Sequence, residues 1–280
     1  MRALYFSNPI KMEKIFTFQI TDSRPLSKFM DKHFSARTAT LIKNTPGSVK
    51  LNGGDFVGNP ELKKGDTLRI TVPERLKPFE KAANLPINVI YKCEDYLVVE
   101  KPAAMPCIPT KGHFDDNLIA ALTYLYPGEI FRVVTRLDKD TSGLVLVALN
   151  APAHEALFQT EIDKKYIAEL VGKLTSSVTV DAKIYRESGM KRIVDDRGKP
   201  SKTHFKVLSY TDEGNTLCEC TLFTGRTHQI RVHSAHIGHP VVGDLLYGTE
   251  ERGKNEGQKL ECVSLLFVDP FSKEKKTFTI

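Results

Sequence analysis

The segment Arg136-Leu137-Asp138-Lys139-Asp140-Thr141-Ser142-Gly143 sets a carboxylate two residues after an arginine, between two apolar runs. Phe131 to Val134 leads in and Leu144 to Leu149 leads out. β-Branched runs of this kind read as buried strands, and Thr-Ser-Gly between them reads as a tight turn. A charge at such a junction is costly unless it is paired or used. Asp138 is therefore either half of a structural ion pair with Arg136 or a working base or nucleophile. A second stretch, Thr224-Gly225-Arg226-Thr227-His228-Gln229-Ile230-Arg231-Val232-His233, follows the strand-like run Leu217 to Phe223. It lacks Pro and Gly from Thr227 to Ile237, and Gly238 and Pro240 stop it, which predicts a helix over 227–237. Ile230, Ser234 and Ile237 would line one face. The Gly225 turn and first helical amides, with Arg226 and Arg231, suit an anion, although a solvated basic helix fits the same pattern.

The elements that must hold these residues mix strands and helices. Strands are expected near 88–91, 96–100, 131–137, 144–149, 165–171, 203–210, 216–223 and 263–268, and helices near 116–125, 151–162 and 227–237. Several successive strands lack an intervening helix, so the sheet should be largely antiparallel and the class α+β. Lys191 to Lys202 and Glu250 to Lys259 are polar and read as exposed loops.

Taken together, the motifs resemble those of the RluA/RluD-type pseudouridine synthases of RNA. Arg136-Leu137-Asp138 with Thr141-Ser142-Gly143 matches that family's first signature. Thr224 to His233, continuing through Gly238-His239-Pro240, Gly243-Asp244 and Tyr247-Gly248, matches another. Lys164-Lys165-Tyr166-Ile167-Ala168 matches its tyrosine segment, and Asp95 to Pro102 matches the strand and Lys-Pro that open its catalytic domain. The likeness spans roughly residues 86 to 280. Three positions depart from the pattern: Thr135 replaces a frequent histidine, Cys107-Ile108 a Val-His pair, and Val268-Asp269-Pro270 a His-Pro.

The resemblance implies a pseudouridine synthase catalytic domain that isomerises uridine in structured RNA. Large-subunit ribosomal RNA is the favoured substrate, transfer RNA the alternative. It implies Asp138 as the catalytic carboxylate, Arg231 as its ion-pair partner and Tyr166 as the aromatic wall of the uracil pocket. Arg136 would help turn the nucleotide out of its stack. Lys101, Arg226 and Thr227 would touch phosphate or the pocket edge. The isomerisation involves no redox or phosphoryl transfer, so no cofactor and no metal are expected.

Three other readings compete. Asp138-Lys139-Asp140-Thr141 after an apolar strand superficially resembles the Asp-x-Asp loop of magnesium-dependent aspartyl phosphatases, but that loop runs on into a helix. His228, His233, His236 and His239 lie within twelve residues, yet without a glutamate or the spacing of a zinc motif. An inactive RNA-binding protein would keep the motifs without turnover.

The chain has 280 residues, enough for about two domains. Its five cysteines lack a Cys-x-x-Cys pair, which argues against a disulfide framework or thiolate zinc site. No stretch reaches the ~18 apolar residues of a membrane span. The N-terminal residues do not read as a signal peptide, so a cytoplasmic protein is expected, with a monomer as the default state.

The net charge of +6 is unevenly spread: residues 1–81 hold 15 Lys/Arg against 8 Asp/Glu, and the remainder is near neutral. Within that basic third, a strand at 15–20 should precede a helix with Leu26, Phe29, Met30 and Phe34 on one face. Ser35 should cap a second helix through Leu41 and Ile42, with strands after it at Val49–Leu51 and Thr67–Val72. The order resembles the alpha-L RNA-binding motif, first known from a ribosomal small-subunit protein. Lys28, Lys32, Arg37 and Lys43 are the matching RNA-contact candidates. The expected organisation is a small α/β RNA-binding module at 1–75, a proline-bearing linker at 76–87, and the catalytic domain at 88–280.

Overall fold

A computed structural model describes residues 12–34, 36–74, 81–248 and 257–280. The chain opens with β1 (Met12–Gln19), β2 (Arg24–Pro25), α1 (Leu26–His33), α2 (Ala36–Lys43), β3 (Val49–Leu51), β4 (Glu61–Leu62) and β5 (Thr67–Glu74). β5 is the centre of a three-stranded antiparallel sheet, between β1 and β3. Leu26, Phe29 and Met30 of α1 are buried with Phe34, Ile42, Leu68, Ile70 and Val72 in one cluster. The i, i+3, i+4 spacing of α1 thus covers the sheet, as helical periodicity requires. α2 runs through Leu41 and Ile42 as expected, with Ile42 buried and Leu41 exposed, and the expected cap Ser35 lies outside the described residues.

Residues 81–87 have no regular structure, but Leu85 and Ile87 pack against the larger cluster that follows. That part is built from β6 (Asn88–Lys92), β7 (Tyr96–Lys101), α3 (Leu118–Leu125), β8 (Arg132–Val133), β9 (Ser142–Ala148), α4 (Ala151–Phe158), β10 (Ile162–Leu170) and β11 (Val178–Asp181). It continues with β12 (Ile184–Ser188), β13 (Lys191–Val194), β14 (Lys202–Tyr210), β15 (Thr216–Leu222), α5 (Gln229–His236), β16 (Leu260–Val268) and β17 (Lys275–Thr279). The main sheet runs β11-β14-β15-β10-β16-β9-β7-β6, with β8 on β9 and β17 on β16. Among the described strands only β9 and β16 pair in parallel, so the class is α+β with a largely antiparallel sheet. Asn117 and Asn150 cap α3 and α4 by accepting the amides of Ala120 and Ala153.

Several expectations change. The strand expected over 131–137 is only β8; residues 134–141 form an irregular loop whose turn centres on Lys139-Asp140. Buried Thr135 shapes that loop by accepting the Leu146 amide at 2.9 Å. The polar stretch from Lys191 is no loop at its start: β13 pairs with β12 in a hairpin. Its polarity misled because a hairpin standing off the sheet needs no apolar alternation. The end of the other polar stretch is also packed, since buried Gln258 donates to Thr141 Oγ1 at 2.8 Å. α5 starts two residues late, and it is buried from Gln229 to Ser234 rather than on one face.

Gly143 marks the tightest junction beneath the motif loop. Its φ is +107°, and a Cβ there would lie 2.3 Å from the Cys262 carbonyl oxygen and 2.6 Å from its nitrogen. The parallel approach of β9 to β16 therefore demands glycine. Gly143→Ala is expected to destabilise the protein by about 3 kcal/mol or more, combining backbone strain with overpacking. Gly225→Ala, where no atom lies within 4 Å, should leave stability nearly unchanged. Thermal unfolding of the two variants side by side checks this.

Candidate active site

The two signature segments and the tyrosine segment meet in one open cleft with about 390 Å³ of empty space. Arg136, Leu137, Asp138 and Thr141 line it from the β8–β9 loop, and Tyr166 from β10. Arg226, His228, Gln229, Ile230 and Arg231 line it from α5 and the turn before it.

The loop is fixed from both sides of Asp138. The Leu137 amide donates to Cys107 Sγ at 3.3 Å, and the thiol donates back to the Leu137 carbonyl at 3.4 Å. Lys101 Nζ donates to the Lys139 carbonyl at 3.1 Å and to the Pro102 carbonyl at 2.7 Å. The Thr141 amide closes the turn on the Asp138 carbonyl. Lys101 is fully buried, so it does not reach phosphate as expected; its ammonium holds the loop backbone instead. Burial lowers its pKa to about 8.

Arg231 is the hub. Its Nε and Nη2 grip the two oxygens of Asp244 at 2.7 and 2.8 Å, and its Nη1 donates to Asp138 Oδ2 at 3.1 Å. The two-pronged geometry thus belongs to Asp244, with a side chain 0% exposed, and Asp138 at 28% receives one bond. Burial alone would raise the Asp244 carboxyl. The Arg231 hydrogen bonds and charge, with the Leu246 and Tyr247 amides, override it and hold that carboxyl below its ordinary range. Burial likewise opposes the charge of Arg231, and the two carboxylates more than restore it. Both neighbours of Asp138, Arg231 and His228, approach Oδ2; no described residue hydrogen-bonds Oδ1.

Tyr166 is 5% exposed and sits in register with Cys220 on β15 and Cys262 on β16, beside a bulge at Lys165/Tyr166. Burial first, then the contact with Cys262, pushes its phenol well up, so it stays protonated. Arg136 and Arg226 line the cleft and are exposed, and Thr227 is exposed beside it in the chain without lining it. The expected anion cradle is already filled: the Gln229 carboxamide accepts the Arg226 amide at 2.9 Å and Thr224 Oγ1 at 2.8 Å. Its other end donates to the Lys202 carbonyl and Thr203 Oγ1, which staples the turn to β14.

The four histidines do not converge. His233 spends both ring nitrogens on Thr203 and Ala182, His239 faces the Val171 carbonyl, and His228 faces Tyr247 and Asp138. The Asp138 loop runs into a strand, not the helix of an aspartyl phosphatase. In the N-terminal part, Lys28, Lys32 and Lys43 are exposed, and the side chain of Arg37 lies outside the described residues. Sequence reasoning gave no role to Asp244, Tyr247, Gln229 or Cys107. Asp244 and Tyr247 were visible as motif letters, but not as partners of a residue 13 or more positions away.

An aspartate, a buried tyrosine and an arginine from three separate segments thus meet in one cleft of this α+β fold. The RNA pseudouridylate synthase family profile matches residues 95–236. Ribosomal large subunit pseudouridine synthase D of Zymomonas mobilis is 31% identical over 91% of this chain and 88% of its own. Its namesake in Xanthomonas campestris is 36% identical over 89% of this chain and 81% of its own. The solved structure of human RNA pseudouridylate synthase domain containing 1 superposes with a TM-score of 0.61 at 30% identity, over 72% of this chain and 85% of that one. The chain belongs to the RNA pseudouridylate synthase family and is an RNA pseudouridine synthase. Among the described residues, no helix is long and apolar enough to cross a membrane.

Removing the Asp244 carboxylate leaves the buried Arg231 guanidinium with one of its three carboxylate hydrogen bonds, the one to Asp138. Asp244→Asn is expected to cost about 3–5 kcal/mol at neutral pH, the usual penalty for breaking a buried pair. The folded Asp244 pKa is depressed, so its contribution is complete above the ordinary value of 3.8 and is lost as pH falls through the folded value. The stability gap between wild type and Asp244→Asn should therefore close only in acid below about pH 4. Denaturant unfolding across pH measures it.

Proposed function

We propose that the protein converts uridine to pseudouridine in large-subunit ribosomal RNA, with Asp138 as the catalytic carboxylate. The observation that carries this reading is the asymmetry at Asp138. Asp138 lines the cleft, and its Oδ2 is held by Arg231 Nη1 while its Oδ1 accepts no hydrogen bond from any described residue. A flipped uridine entering past Arg136 and Arg226 brings its ribose to that free oxygen. Asp138 then attacks C1′ or takes a ribose proton. The C1′–N1 bond breaks, the base turns, and C1′ bonds to C5 as the Asp138–C1′ bond breaks or the ribose proton returns; C5 releases a proton and N1 takes one up. No electron is gained or lost, so the step demands no redox cofactor. Tyr166 supplies an apolar face with its phenol kept neutral, which suits a uracil that must rotate without losing its stack. The ribosomal substrate is supported by the names of the relatives, which act on the large subunit. That substrate is consistent with a cytoplasmic protein.

Residues 1–75 form the RNA-holding module in this reading, and 88–280 the catalytic domain. Its support is the basic balance of the first third and the exposed lysines of α1 and α2. Lys28 and Lys32, one turn apart on the solvent face of α1, meet phosphates of folded RNA together with Lys43.

Asp138→Asn is expected to abolish isomerisation while RNA affinity stays within a few-fold; measurable turnover by the purified variant sinks the assignment. The double variant Lys28→Gln/Lys32→Gln should bind RNA more weakly. Its slope of log affinity against log salt should fall by roughly 0.7 to 0.9 for each phosphate that is no longer neutralised. An unchanged slope would remove α1 from the RNA-binding surface.

A further inference from the structure

We propose that His228 is a positioning residue for Asp138, held as the Nε2–H tautomer by the Tyr247 hydroxyl. The proposal rests on the reading of Asp138 above. His228 lines the cleft, with Nε2 3.7 Å from Asp138 Oδ2. Its other nitrogen, Nδ1, lies 2.8 Å from the Tyr247 hydroxyl oxygen. That oxygen accepts the Arg192 backbone amide at 3.0 Å. An amide N–H can only donate, so the phenol oxygen is the acceptor there and its own hydrogen is free for Nδ1. Burial keeps the Tyr247 phenol protonated and holds the His228 ring toward its neutral form, although the charge of Asp138 pulls the other way. A neutral imidazole that accepts at Nδ1 carries its one hydrogen on Nε2. The donor therefore faces Asp138.

The backbone supports the same conclusion. His228 precedes α5 in the left-handed region, at φ 58° and ψ 22°, without capping the helix by its side chain. A non-glycine residue there costs about 1–3 kcal/mol and persists where surrounding contacts fix it. The strained turn aims the ring at the cleft, and Tyr247 meets it edge-on with centroids 5.6 Å apart. The Arg231 guanidinium carbon also lies over the Tyr247 ring, 5.1 Å from the ring centroid. One phenol thus supports both groups that approach Oδ2.

The consequence is a choice between the two carboxylate oxygens. A shift of roughly 0.7 Å brings Nε2–H to hydrogen-bond distance of Oδ2, a tightening that active sites make on binding substrate. With Arg231 and His228 both on Oδ2, the carboxylate cannot rotate, and Oδ1 is the oxygen presented to ribose. Arg192 belongs to β13, so the β12–β13 hairpin backbone takes part in setting this geometry.

The full-length protein tests this in two ways. Long-range proton–nitrogen spectra of ¹⁵N-histidine-labelled protein should show His228 protonated at Nε2 and bare at Nδ1. Tyr247→Phe should lose that preference. Steady-state kinetics should show His228→Leu losing roughly ten- to a hundredfold in kcat with KM little changed. His228→Gln, whose amide N–H can stand in for Nε2–H, should recover most of that loss. A proton found on Nδ1, or kcat retained by His228→Leu, overturns the proposal, as does a Gln variant no better than Leu. The tautomer measurement needs no turnover. A wild-type protein that modifies no RNA would thus sink the proposed function without deciding the tautomer.

Discussion

The site depends on one buried cation serving two carboxylates unequally. Arg231 is 8% exposed, and a guanidinium that far from water is stable only if its donors are used. Asp244 uses two and is in turn bound by the Leu246 and Tyr247 amides. That leaves Nη1 as a fixed donor for Asp138. Asp244 is thus fully buried and committed, while Asp138 is partly solvated and engaged through a single oxygen. The helix that carries the hub is itself buried from Gln229 to Ser234.

The sheet supplies the other half of the geometry. β9 and β16 approach so closely that only glycine fits at 143, which brings the Asp138 loop beside the strand pair that carries Tyr166. Cys107 and Lys101 then fix the backbone on either side of Asp138. The Lys101 ammonium is costly there. Its folded pKa of about 8 lies below its ordinary value of 10.5, so the burial penalty is complete below pH 8 and is relieved as pH rises toward 10.5. The protein tolerates that cost at neutral pH, and the two carbonyls that Lys101 binds belong to Pro102 at the end of β7 and to the Asp138 loop.

Charge is partitioned along the chain as well as within the site. The basic balance lies in the first 81 residues, away from the cleft motifs. Among the described residues that line the cleft, only Arg136 and Arg226 are exposed cations, and they sit at its mouth, where a backbone must pass.

Sequence alone determined the class and most of the elements. Apolar runs such as Leu144 to Leu149 and the spacing of Leu26, Phe29 and Met30 are local signals, and local periodicity is what a sequence displays. Asp138, Tyr166 and Arg231 stood out because motif letters at family spacing need no coordinates. Partner choice was different. Arg231 lies 93 residues from Asp138 and 13 from Asp244, and nothing in either separation says which carboxylate takes the fork. The resemblance alone put Lys101 at phosphate or the pocket edge. Its burial is set by β7 packing against β9, a pairing between residues about 45 apart. The Tyr247–His228 contact and the Gln229 staple likewise join groups through folded space. Hydrogen-bond partners depend on distances of about 3 Å, which only tertiary structure sets.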